Sequence, residues 1–266
     1  EQQIPFVTVT NWVRAARLCG IDIEAIFRQE GIDTASLHPE TSTVSRDTMQ
    51  RLMQRCVEET RRIGSPKHFP IVLGETFAFE YMSDVETFIT TSATLRDATR
   101  ALEWIPSLIN PYLTFALAEH GNEARIALNF NVPDDDIERT WTFTEGVITT
   151  TIKFSRLLLG DQTLIGRITM RHPRHAWSDQ VEAAFHAPIE WGAPMWFDRA
   201  LLDQPLTGAF PVLHEQAAKR LAQKVAQRVE TKPAESVGHH GQALIKQIER
   251  AFHDKPRLMG LGLEAL

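Results

Sequence analysis

Apolar residues recur every three or four positions through the N-terminal part of the chain, which is the spacing of amphipathic helices. Residues 10–20, 22–31 and 45–64 each begin with a capping Thr, Asp or Ser and end at a glycine. The third and clearest segment has an apolar face made of Met49, Leu52, Met53, Cys56 and Val57. We therefore predict three helices, and we interpret the sulfur-rich face as core, with a pliable ligand pocket as the alternative.

A loop containing Pro66 and Pro70 follows, and residues 83–105 then carry two more helical patterns. The second of these has an inward face of Leu95, Ala98, Leu102 and Ile105. The period changes to two in residues 112–119 and 124–130, which predicts an antiparallel hairpin around a glycine turn. The remaining central patterns predict a long helix at 137–159, a strand at 164–170, a helix at 178–185 and two short strands within 189–197.

Prolines and a glycine interrupt the stretch LLDQPLTGAFP before a new helical pattern begins. Its narrow apolar face consists of Leu213, Ala217, Leu221 and Val225. We predict a dimer contact through this face, with ordinary packing inside one chain as the alternative. Taken together, the patterns predict an α+β fold: a small antiparallel sheet packed with helices, a helical N-terminal segment and a helical C-terminal linker or dimerisation segment.

The composition is that of an ordinary globular protein and argues against DNA binding by these residues alone. Of the 266 residues, 43% are hydrophobic and 23% are charged, and the net charge is −6. Nucleic-acid binders need basic surface to neutralise phosphates. Cys19 and Cys56 lie in helical patterns and are expected to be free and buried.

The chain is expected to be cytoplasmic. It has no apolar run of the roughly 18 residues that a membrane span needs, and its start, EQQIPFVTVT, does not have the pattern of a signal peptide. Because the first residue is not Met, we also expect that the sequence is part of a longer chain.

No catalytic motif is present: the sequence contains no nucleophile elbow, phosphate-binding loop or zinc-protease motif. His172 and His175 in RHPRH have a spacing compatible with two metal ligands, but no cysteine or carboxylate accompanies them at a matching spacing. We interpret them, like His239 and His240, as residues of surface loops, and we predict no metal and no cofactor. A small-molecule enzyme of α+β fold without a recognisable motif is the alternative to a binding protein.

Aromatic side chains near the predicted sheet are typical of a small-molecule pocket. On this basis, with Arg125 and Lys153 as partners for an anionic ligand group, we predict a ligand site. Its residues are Trp104, Tyr112, Arg125, Trp141, Lys153 and Trp191. Simple core packing is the alternative for each tryptophan.

Three segments resemble the N-terminal effector-binding domain of AraC-type transcriptional regulators, in the branch with the arabinose-binding type of domain. The first is CGIDIEAIFRQEGID, and the second is LGETFAFEYMSDVETFITTSATLRDATRALEWI. The third is FHAPIEWGAPMWFDRALLDQPL. The residues that carry the resemblance are Gly74, Ser92, Thr94, Leu95, Ala98, Phe197, Leu202 and Pro205.

The resemblance implies a ligand-sensing and dimerisation domain of a bacterial transcription regulator. Residues 1–208 would then be the sensor, 209–254 the helical linker or dimerisation segment, and 255–266 the start of a helix-turn-helix domain that lies largely beyond this sequence. The expected partners are a small effector, for which the composition favours a hydrophobic or amphipathic acid, a second copy of the chain, and DNA through the missing C-terminal domain. Effector binding would act by shifting the population of two arrangements. No membrane partner is expected.

Overall fold

The computed structural model describes residues 3–132, 139–160, 168–170, 172–185, 189–191 and 197–230. The chain forms one compact unit up to Gln223, and a second unit begins at Lys224. The boundaries predicted at 208 and 254 differ from this division but are untested as functional domains, and they stay a prediction. The described part of the chain contains no helix with the length and apolar character that crossing a membrane requires.

The N-terminal layer is helical, as predicted. Its elements are β1 (Ile4–Pro5), α1 (Val9–Cys19), α2 (Ile23–Gln29), β2 (Thr43–Val44), α3 (Arg46–Arg62) and α4 (Phe69–Glu75). Asp22 and Ser45 cap α2 and α3, because their side chains accept hydrogen bonds from the amides of Ala25 and Thr48. Thr10, however, lies inside α1 rather than at its cap.

Helix α4 occupies a segment that the two prolines suggested was a loop, and that interpretation was wrong. Pro70 is tolerated because it lies in the first turn of the helix, where a backbone N–H has no partner in any case. The N-cap residue of this helix is His68, so the start of α4 fixes the position of a buried imidazole.

The middle of the chain forms short helices followed by the predicted hairpin. The helices are α5 (Ser83–Thr90), α6 (Leu95–Thr99), a 3-10 helix (Arg100–Trp104) and α7 (Ile105–Leu108). Strands β3 (Leu113–His120) and β4 (Glu123–Phe130) pair antiparallel in full register, from Leu113 opposite Phe130 to His120 opposite Glu123. The turn between them contains Gly121 at φ +58°, a left-handed conformation that favours glycine.

The remaining elements are α8 (Trp141–Leu159), β5 (Ile168–Met170), α9 (Ser178–Phe185), β6 (Ile189–Trp191), β7 (Phe197–Asp198), a 3-10 helix (Arg199–Leu202) and α10 (Pro211–Glu230). Strand β7 pairs antiparallel with β4, whereas β5 and β6 form a separate parallel pair. The predicted α+β fold with a small antiparallel sheet is confirmed. The predicted parts of the long helix before residue 139 and of the strand at 164–167 lie outside the described residues.

Helices α4 and α8 pack with their backbones unusually close together. A Cβ atom added to Gly74 on α4 would lie 2.5 Å from the carbonyl oxygen of Gly146 and 2.5 Å from Cβ of Thr149, both on α8. Only glycine therefore fits at position 74 without movement of the helix opposite. This contact fixes the position of α8, a helix that borders both an apolar cavity and a buried polar cluster.

Candidate functional site

A cavity of about 160 Å³ lies between the hairpin, α8 and the short helices of the middle region. Helix α6, the following 3-10 helix and α7 contribute Leu95, Ala98, Leu102 and Ile105, the same face that the sequence pattern placed inward. Strands β3 and β4 contribute Leu113, Phe115 and Ile126. Helix α8 contributes Val147, Thr150, Thr151, Phe154, Ser155 and Leu158. The alternation of the strands and the helical period of α8 thus direct apolar side chains into a common space.

The polar groups that line this cavity are hydroxyls, and their donor capacity is already used. The hydroxyls of Thr99, Thr150, Thr151 and Ser155 donate to backbone carbonyls of the preceding helical turn, at 2.7–2.9 Å. Among the described residues, those that line the cavity include no cation and no carboxylate. The cavity is therefore suited to an apolar molecule or to the apolar part of an amphipathic one.

A second cavity of about 100 Å³ adjoins the first, with which it shares the lining residues Phe77, Ile109, Leu113, Val147 and Thr150. Met49 and Met53 from α3 also line it. The same two residues are almost fully buried. The sulfur-rich face of α3 is thus buried as core packing requires, and it borders a cavity as well.

Five of the six residues predicted to bind a ligand have side chains that the structure describes, and none of these five lines the larger cavity. Trp104 packs edge-on against Phe88 with ring centroids 4.7 Å apart, and Tyr112 lies beneath the guanidinium of Arg46. Arg125 alternates along β4 with Ala124 and Ile126, both of which are buried, so it lies on the opposite face of the sheet.

Trp141 begins α8 and stacks on His172, with ring centroids 5.2 Å apart. Trp191 pairs through its backbone with Met170 in the parallel strand pair, and its side chain lies outside the described part of the structure. Lys153 is half-buried, and its Nζ donates to the carbonyl oxygen of Phe77 at 2.5 Å. Burial lowers the pKa of Lys153. The structure does not bring the described side chains among these residues together into one site, and the role of all six in ligand binding stays a prediction.

The residues predicted to form a dimer contact have different surroundings. Ala217 and Leu221 are 0% and 1% exposed and are thus covered by their own chain, whereas Leu213 is 40% exposed. Val225 lies in the second unit of the chain. The alternative interpretation, packing within one chain, therefore describes Ala217 and Leu221 in this structure.

A second site, which is polar, lies near the N-terminal end of α8. It corrects the interpretation of RHPRH as a surface loop. His172 is 1% exposed, and Nε2 of His172 lies 3.6 Å from Oε1 of Glu145. His175 and His68 also contact this carboxylate, with Nε2–Oε distances of 2.5 and 2.7 Å. Glu145 itself is 1% exposed. The surface-loop interpretation failed because the carboxylate partner comes from a helix some thirty residues earlier, where local spacing does not reveal it.

Burial and hydrogen bonding have opposite effects on Glu145. Burial alone would raise its pKa, but the hydrogen bonds from His175 and His68 favour the ionised form more strongly, and the pKa of Glu145 is lowered. Burial lowers the pKa of His172, which favours its neutral form. The sequence does carry one signal for this site, since Glu145 is the only charged residue between Arg139 and Lys153.

Comparison with protein families identifies the chain. The model of the N-terminal arabinose-binding domain of AraC transcription regulators matches residues 20–206. The chain therefore belongs to this family, which is a family of transcription regulators and not of enzymes.

Among solved structures, the crystal structure of the transcriptional regulator CdpR from Pseudomonas aeruginosa is similar, with a TM-score of 0.53 and 14% sequence identity. The match covers 77% of this chain and 64% of the CdpR chain, so it extends over less than two thirds of that regulator. At this identity the likeness concerns the fold. A search of curated proteins gives no significant match.

Proposed function

We propose that the chain is the sensor domain of a transcription regulator and that the 160 Å³ cavity is its effector site. The observation that carries the proposal is a cavity of ligand size, lined by apolar groups, inside a domain of a regulator family. An apolar protein cavity of about 150 Å³ stays dry and binds benzene, so a cavity of this volume has room for an apolar group of about that size. The apolar part of a hydrophobic or amphipathic acid has this size.

A ligand in the cavity would affect α10 through the contacts between α5 and α10. Ile89 on α5 lines the cavity. Its neighbour Phe88 stacks on His214 of α10 with ring centroids 4.0 Å apart. Nδ1 of the same histidine lies 3.1 Å from the carbonyl oxygen of Phe88.

Two further contacts tie α10 to the same region. Arg220 forms an ion pair with Asp84 at the beginning of α5, at 2.6 Å. The backbone amide of Phe210 donates to the carbonyl oxygen of Thr91. A ligand that moves α5 would thus change how the first half of α10 is held.

In this proposal α10 leads towards a C-terminal helix-turn-helix domain that contacts DNA, and the regulator acts as a homodimer. The effector would favour one of two arrangements of α5 and α10, and its differential affinity for the two would set the strength of the response. Because Ala217 and Leu221 are covered in this structure, a dimer contact through them requires the arrangement in which α10 has moved away.

Thermal unfolding in the presence of small probes tests effector binding. Toluene and octanol probe the apolar cavity, benzoate and octanoate add a carboxylate, and arabinose is the polar comparison. A probe at a hundred times its Kd should stabilise the protein by about 2.7 kcal/mol. We expect stabilisation by the apolar probes and by the acids, and none by arabinose.

Ala98→Leu and Ala116→Leu form a matched pair for this test. Ala98 lines the cavity, whereas Ala116 on β3 is exposed. Ala98→Leu should remove most of the probe-induced stabilisation, and Ala116→Leu should leave it intact. Unchanged stabilisation in Ala98→Leu, or no stabilisation of the folded wild type by any apolar probe, would overturn the assignment of the cavity.

A further inference from the structure

We propose that His68, Glu145, His172 and His175 form a binding site for a divalent transition-metal ion, for which their donor atoms best suit Zn²⁺. One ligand atom from each of His68, Glu145 and His175 lies within 4.8 Å of the other two. His172 adds a third imidazole, 3.6 Å from the carboxylate. Imidazole nitrogens with one carboxylate oxygen are a ligand set that zinc uses in proteins.

The distances are close to those that a metal would impose. Zinc bonds to nitrogen and oxygen are about 2.0–2.2 Å long, so neighbouring donors in a tetrahedral site are about 3.3 Å apart. The Nε2 atoms of His68 and His175 now lie 2.7 and 2.5 Å from the two oxygens of Glu145. Small rotations of these side chains would open the space for an ion between them.

The four residues come from three separate parts of the unit and are held by its fold. His68 is the N-cap residue of α4, Glu145 lies in the second turn of α8, and His172 and His175 precede α9. Trp177 stacks on His68 with ring centroids 5.3 Å apart, as Trp141 does on His172. Such packing restricts ring orientation, which favours metal binding at a preformed site.

Hydrogen bonds between the rings and the backbone determine which ring nitrogen of each histidine is available to a metal. Nδ1 of His172 lies 3.1 Å from the carbonyl oxygen of Pro173, so an Nδ1–H donor there leaves Nε2 as the metal-binding atom. Nδ1 of His175 instead accepts from the amide of Trp177 at 3.2 Å. Coordination through Nε2 of His175 displaces the proton from that atom, and Nδ1 then carries the ring proton, so the bond from the Trp177 amide is lost. Metal binding should consequently disturb the environment of Trp177.

This site is distinct from the proposed effector cavity, because none of its four residues lines that cavity. It is accessible from one side, since His175 is 29% exposed while the other three residues are almost fully buried. A metal here would link α4, α8 and the segment before α9.

Zinc binding by the whole chain is the direct test. The protein is purified without a histidine tag, treated with a chelator and titrated with Zn²⁺ while heat and tryptophan fluorescence are recorded. We expect one ion per chain, a higher melting temperature and a change in fluorescence. Co²⁺ in place of Zn²⁺ should give the visible absorption bands of a tetrahedral site.

Variants locate the ion. His175→Ala, chosen because His175 is the most exposed of the four, and Glu145→Gln should each weaken binding by more than about 100-fold. His38→Ala, which changes an exposed histidine outside the cluster, should bind as tightly as wild type.

The double variant His239→Ala, His240→Ala removes the other paired histidines of the sequence and should also keep the site. The proposal is overturned if the folded wild type neither binds Zn²⁺ nor gains thermal stability from it. It is likewise overturned if His175→Ala retains wild-type affinity. Neither result bears on the apolar probes, so the two proposals fail separately.

Discussion

The two halves of α8 contribute to sites of opposite character. Its second turn holds Glu145, a buried carboxylate whose partners come from residues far away in the chain. Its later turns present Thr150, Thr151 and Ser155 to the cavity, and these hydroxyls bond to the backbone of their own helix. A buried polar group that bonds to residues far away in the chain links separate elements of the fold. A hydroxyl that bonds to its own helix offers no free donor to the cavity, so the space beside it stays apolar. One helix can thus border a charged cluster and an apolar cavity.

The largest effect expected from this comparison follows from removal of the charge of Glu145. Glu145→Gln replaces one of the two carboxylate oxygens with an NH2 group, so the imidazole of either His68 or His175 loses its acceptor. The free energy of unfolding should fall by about 3 kcal/mol, because a buried donor loses a charged acceptor and is left unsatisfied. Urea unfolding measures the loss, and Glu215→Gln, which removes one partner of an exposed pair, should have no measurable effect.

The pH dependence of that loss provides an internal check. The folded-state pKa of Glu145 lies below its ordinary value of 4.5. Its contribution to stability is therefore complete above about pH 4.5 and is lost as the pH falls through the lower, folded-state pKa. The difference between wild type and Glu145→Gln should shrink in acid. A difference that stays constant or grows would contradict the carboxylate network.

The contact that fixes α8 should give the next largest effect. In Gly74→Ala the new methyl group meets Gly146 and Thr149 at 2.5 Å, and overpacking of this kind costs about 2 kcal/mol. Gly146→Ala is the graded comparison, since its Cβ would lie 3.3 Å from the carbonyl oxygen of Pro70. Thermal unfolding should rank Gly74→Ala well below Gly146→Ala in stability. Equal stability of the two variants would show that the helices can move apart freely.

The smallest effect concerns the ion pair between α5 and α10. Arg220 is partly exposed, so Arg220→Ala should lower stability by only about 0.5 kcal/mol. Its expected consequence is local: amide hydrogen exchange in the first half of α10 should become faster. Lys219→Ala, which removes an exposed partner of Glu215, serves as the control. Equal exchange rates in the two variants would remove Asp84 and Arg220 from the proposed route.

The pattern of apolar and polar residues predicted those elements whose formation depends on interactions within a single segment. The apolar period and the cap at Ser45 predicted α3, and alternation predicted the β3–β4 hairpin. The face formed by Leu95, Ala98, Leu102 and Ile105 was predicted to point inward, and it lines the cavity. Each of these features follows from spacing within a single element.

What the sequence did not reveal depends on contacts between distant residues. His68 and Glu145 are 77 positions apart, so no spacing rule relates them. Helix α4 was missed because Pro70 suggested a loop, although proline suits the first turn of a helix. Trp104 and Trp141 pack on Phe88 and His172, contacts that the sequence did not indicate, and their role in ligand binding stays a prediction. Residue type alone does not distinguish an aromatic ring that packs on its own chain from one that binds a ligand.

Hydrogen exchange of α10 with and without an apolar probe tests the central claim, which is that ligand binding in the cavity changes how α10 is held. The measurement compares the amides of residues 212–223 in the wild type and in Ala98→Leu, with octanoate and octanol as probes. We predict that a bound probe changes exchange in the wild type and has little effect in Ala98→Leu. Exchange in α10 that is unchanged by a probe already known to raise the melting temperature would contradict the account.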